Sequence, residues 1–86
     1  MNEADRRFAD RLAEDLERVL RAGVIVDEIE SLPDGRVRVR ADAFIDGRIH
    51  VLEAVGESLL DVYRPLVRQA AEARLNGAFW QIVGPS

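Results

Sequence analysis

The chain holds few side chains that can do covalent chemistry. It has no cysteine, lysine or threonine, a single histidine (His50), and serine only at Ser31, Ser58 and Ser86. That inventory excludes thiol catalysis, disulfides and zinc ribbons. It also excludes a Schiff-base or phosphate-loop lysine and a two-histidine metal site within one chain. The strand pairing expected below sets His50 beside Asp42. A carboxylate that orients an imidazole can begin an acid–base pair, but a polar cross-strand pair on a wet sheet face accounts for the same placement. No serine falls where that pairing makes it a nucleophile, so catalysis is not expected. Asp10, Glu14 and Glu17 form an acidic ridge on the first helix. A metal needs oxygen ligands converging from several directions, and one helix face does not supply them. Neither a metal nor another cofactor is expected.

Binding chemistry is better represented. Every one of the 12 basic residues is arginine. Arg36, Arg38, Arg40 and Arg48, with His50, are expected on one polar face of a sheet. Guanidinium groups there suit phosphates or carboxylates. Glu28 and Glu30 share the face and oppose Arg40 and Arg38, whereas Arg36 and Arg48 stay unpaired in this reading. The other candidates are apolar. The tail Ala78-Phe79-Trp80-Gln81-Ile82-Val83 contains the sole tryptophan, and aromatics dominate interface energetics. Phe79, Trp80 and Ile82, with Phe44 and Leu52 on or near the outer sheet face, are the expected protein-interface residues.

These side chains must be positioned by a small set of elements. Phe8, Leu12, Leu16, Val19 and Leu20 recur at helical spacing, which predicts an amphipathic helix over about 3–22. Asn2 is its expected N-cap and Gly23 its stop. Strict alternation in Arg36-Val37-Arg38-Val39-Arg40-Ala41-Asp42-Ala43 predicts a half-buried strand. Strands are expected over about 24–32, 36–44 and 48–54. A three-residue loop ending in Gly35 sets Ile29 against Val39 inside, and Glu30 against Arg38 and Glu28 against Arg40 outside. A matching three-residue loop at Gly47 sets Ala43 against Ile49 and Ala41 against Val51 inside, and Asp42 against His50 outside. Ser58, with Asp61 three residues on, predicts the start of a second helix over about 58–75, kinked or divided at Pro65. A short strand over about 78–83 ends the chain. The predicted fold is a single α+β domain over 1–86. It has two layers, built as helix, three-stranded antiparallel meander and helix, with a short C-terminal strand.

The 86 residues carry a net charge of -4, with 48% hydrophobic and 33% charged side chains. Such a chain is too apolar for disorder. No segment is basic enough for simple electrostatic capture of nucleic acid. No apolar run approaches the length of a membrane helix, and the charged first residues do not form a signal peptide. Cytoplasmic residence is the expectation. The order helix, three strands, helix resembles that of double-stranded-RNA-binding domains, which implies a basic entry to the second helix. Here that entry is Glu57-Ser58-Leu59-Leu60-Asp61, which is acidic and argues against that function. The order also resembles a family of small nucleoid-associated proteins, which implies a dimer. The expected function is a small non-catalytic interaction or regulatory module. Its expected partner is a second copy of itself, most simply as a homodimer, or another protein, met through the C-terminal strand and the outer sheet face. The alternative is a nucleic-acid-associated regulator using the arginine-bearing face.

Overall fold

A computed structural model describes the backbone of residues 2–83 and the side chains of residues 2–75. The element order is α1 (Glu3–Leu20), β1 (Gly23–Ser31), β2 (Val37–Ile45), β3 (Arg48–Gly56) and α2 (Leu59–Val83). The three strands form one antiparallel sheet in the order β1-β2-β3. Both helices pack on one of its faces, which gives the expected two-layer α+β arrangement.

α1 begins where its sequence says. The Asn2 side chain accepts from the Asp5 backbone N–H at 2.8 Å and satisfies one of the donors that a helix start leaves free. Replacing Asn2 by alanine should cost about 1 kcal/mol, read as a lower midpoint in thermal unfolding. The helix stops earlier than Gly23. Arg21 takes a left-handed conformation with φ 54°, and its N–H returns to the Glu17 carbonyl. Gly23 is freed to open β1.

The first hairpin has the expected register. Ile29 pairs with Val39, Glu30 with Arg38 and Glu28 with Arg40, with Gly35 at φ 91° in the loop. Continued without interruption, that register would place Asp27 opposite Ala41, on the core side. A bulge between Val26 and Glu28 prevents this. It lifts Asp27 out, and Val24 and Val26 turn inward opposite Ala43 and Ala41. Burying an unpaired carboxylate costs more than one irregular pair.

The second hairpin corrects the expectation by one residue. Its loop is the two-residue Asp46-Gly47, with φ 53° and 75°, and Ile45 pairs with Arg48. Asp-Gly with two positive φ values makes the turn whose twist matches that of its strands. A one-residue slip exchanges the faces of a strand. Leu52 and Ala54 are therefore buried opposite Ala41 and Val39, while Ile49, Val51 and Val55 face outward. The β-branched residues yield the inner face because α2 passes close there. A Cβ on Gly56 would lie 2.9 Å from the Cβ of Asp61.

α2 starts at the expected cap. The Asp61 N–H meets the Ser58 Oγ at 3.4 Å, and the Ser58 hydroxyl donates to the Asp61 carboxylate at 3.1 Å. Pro65 neither ends nor divides the helix. The sheet of the described residues has three strands, and the short strand expected over 78–83 is not shown, since the side chains of that stretch lie outside the described residues. The core joins Leu12, Leu16 and Leu20 of α1 and Val62, Leu66 and Ala70 of α2 to Val24, Val39, Ala41, Ala43, Leu52 and Ala54 of the sheet. Phe8 and Tyr63 meet edge to face, with ring centres 6.4 Å apart, and tie the helices together.

Candidate functional site

With both helices on one side, the other face of the sheet has no covering layer among the described residues. The two registers arrange this face in cross-strand rows. Phe44 lies between Gly23 and Ile49, and Asp42 between Ile25 and Val51. Arg40 lies between Glu28 and Glu53, and Arg38 between Glu30 and Val55. One end of the face is therefore apolar, with Ile25, Phe44, Ile49 and Val51 around a single carboxylate. The other end is charged. Ile49 and Ile25 are the most exposed of the four, at 62% and 57%.

At the charged end both arginines have carboxylate partners, and the carboxylates are in excess. Arg38 meets both Glu30 and Glu28. Arg40 lies 3.6 Å from Asp42 and 3.9 Å from the bulged Asp27. The Arg40 Nε and Asp42 Oδ1 atoms are buried without a hydrogen bond, because the carboxylates near Arg40 Nε, Asp42 at 3.6 Å and Asp27 at 3.9 Å, both lie just too far away for one. Such a pair holds its charges by proximity alone and contributes little. Arg36 lies in the loop, where its Nε donates to Asp34 at 2.7 Å and its backbone N–H to the same carboxylate at 3.0 Å. The backbone bond, with the guanidinium beside it, holds the Asp34 carboxyl below its ordinary range. The turn keeps this support above that range and loses it as the pH falls through it.

The polar face expected from the sequence is thus divided. Arg38 and Arg40 lie on it, both with acidic partners. Arg36 is engaged at the turn. Arg48 and His50 belong to the opposite side of β3, pairing with Ile45 and Ala43. Asp42 and His50 consequently point to different faces, and the acid–base pair does not form. The apolar candidates are also divided. Phe44 is exposed on the outer face, as expected, whereas Leu52 is buried in the core. The side chains of Phe79, Trp80 and Ile82 lie outside the described residues. Sequence reasoning missed Ile25, Ile49 and Val51. The Asp-Gly turn was the signal that could have placed Ile49 and Val51, and the Asp27 bulge the signal for Ile25.

The edges of the sheet differ. β1 is interrupted by its bulge. On β3 the side-chain amide of Gln69, from α2, accepts from the Glu53 N–H at 3.2 Å and donates to the Glu53 carbonyl at 2.8 Å. It occupies the place of a fourth strand at that residue. Among the described residues no cluster of three potential metal ligands occurs, and no helix is long and apolar enough to cross a membrane. No family model, no curated protein and no solved structure matches this chain.

Proposed function

We propose that this protein is a small non-catalytic interaction module that self-associates through the apolar end of its outer sheet face. The observation that carries the reading is the grouping of Ile25, Phe44, Ile49 and Val51 on the uncovered side of a two-layer domain. Apolar side chains gathered at one end of a face mark a contact surface, whereas scattered ones do not. A second copy suits this surface because it brings the same apolar end. In a two-fold contact each patch must complement itself. A nucleic acid would require free cations, and the arginines of this face are each matched by carboxylates.

Light scattering tests the reading. The full chain should have twice the mass of one polypeptide. Ile49→Glu, at a site that contributes little to the core, should reduce it to a single chain with an unchanged circular dichroism spectrum. A wild-type chain that stays monomeric at high concentration, or an Ile49→Glu variant that still self-associates, overturns it.

A further inference from the structure

We infer that two copies of this chain join through the exposed edge of β3, pairing antiparallel about a two-fold axis at His50 to form one six-stranded sheet. The inference rests on the self-association proposed above but places the contact at the β3 edge bordering the apolar end, where Ile49 and Val51 lie, and not face to face. β3 pairs with β2 without irregularity, so the residues whose backbone groups point away from β2 alternate along it. Glu53 is one of them, because Gln69 reaches both of its backbone groups from outside the sheet. Two and four residues earlier, Val51 and Ile49 must point the same way. Among the described residues nothing meets their N–H or carbonyl groups on that side.

The open stretch, residues 48–52, is closed at one end by the Asp46-Gly47 turn and at the other by Gln69. Its centre is His50. A second copy related by a two-fold axis through His50 sets Ile49 against Val51 of the second copy, and Val51 against Ile49 of the second copy. Each match exchanges two hydrogen bonds, N–H donating to carbonyl in both directions. The turn of each copy then falls level with Glu53 of the other, where Gln69 ends the pairing. The edge is thus open over a length that its own symmetric copy fills. The bulge and the charged Asp27 make β1 the poorer edge. On the outer face the pairing joins Phe44 and Ile49 of one copy to Val51 of the other in a continuous apolar stripe.

Three variants and one cross-link test this register. Val51→Pro removes an N–H that the monomer does not use, at an edge position where proline is tolerated. It should halve the mass and leave the circular dichroism unchanged. His50→Cys introduces the only thiol. Directly opposed residues of a narrow antiparallel pair lie about 4.5 Å apart at Cα, within the range of about 4.4–6.8 Å that a disulfide spans. Mild oxidation should therefore link His50→Cys chains into covalent dimers much faster than Glu57→Cys chains, whose thiol lies on the exposed loop.

A doubled mass in folded Val51→Pro, or cross-linking of His50→Cys no faster than Glu57→Cys, overturns the register. Should Val51→Pro unfold, the cross-linking decides alone. If Ile49→Glu and Ile25→Glu both dissociate the protein while Val51→Pro does not, the faces stack. The self-association reading then stands and the edge pairing falls. A monomeric wild type removes both.

Discussion

Leu16→Ala should destabilise the fold by about 2–5 kcal/mol, the range for truncating a fully enclosed leucine. Leu16 has no exposed surface and lies where α1 meets the core, in the same cluster as Leu12, Leu66 and Val39. The loss combines the removed methyl groups with the cavity left behind, and the helices cannot close that cavity freely. α1 is held to β1 by a bond from the Val24 N–H to the Glu17 carboxylate, and to α2 by Arg74 donating to the Val19 carbonyl. Domains of this size are stable by only about 5–15 kcal/mol, so a large fraction of the total is at risk. Urea unfolding followed by circular dichroism measures it. Leu60→Ala is the matched control. Leu60 is 81% exposed on α2, and its truncation should fall within about 0.5 kcal/mol of wild type. Equal effects at the two sites would contradict the described core.

Gly56→Ala should have the next largest effect, about 1–3 kcal/mol of destabilisation. The added Cβ would meet Asp61 at both its Cβ and its backbone carbon, at 2.9 and 3.2 Å, and the Val62 side chain at 3.2 Å. The obstacle is the first turn of α2 itself, so relief requires the helix to move away from the sheet. That movement loosens Val62, which is fully enclosed. Chemical denaturation of Gly56→Ala beside Gly35→Ala separates this cause from backbone strain. Gly35 has positive φ and no atom near its missing Cβ, so its variant reports strain alone. A Gly56→Ala chain as stable as wild type would mean that the helix start is not where it is described.

The parts of the fold that were legible in the sequence are those in which two signals agree. In α1 the apolar period and the Asn2 cap point to the same helix. In β2 the alternation of valines and arginines leaves one choice of face, and the carboxylates of Glu28 and Glu30 fix the first register. β3 offered no such agreement. Ile49 and Val51 make as good an inner face as Leu52 and Ala54 by hydropathy, and the choice rested on turn geometry and on the close passage of α2. The first is present in Asp46-Gly47 but read differently for a two- and a three-residue loop. The second depends on how Gly56 meets Asp61, which no local pattern contains. This single slip moved Leu52 from the candidate surface into the core and Ile49 and Val51 the other way. It also separated His50 from Asp42. The bulge at Asp27 has a similar origin, since only the demand for Val24 and Val26 in the core reveals it. Most of the fold was therefore readable, while the composition of the outer face turned on one residue of register.

The strands lie side by side in the order in which the chain presents them, joined by connections of five and two residues. In kinetic terms this ordering matters. Each hairpin closes a short loop and loses little chain entropy in doing so, so the meander can organise from local encounters. The contact between the helices is different in kind, since Arg74 reaches the Val19 carbonyl across 55 positions of sequence. α1 has nothing to cover until the sheet exists, and α2 closes the chain upon it. Sequence separation therefore predicts that the helices join last over an already paired meander, so that Leu16→Ala should speed unfolding more than it slows folding in stopped-flow measurements. The face that the helices leave bare takes no part in that step.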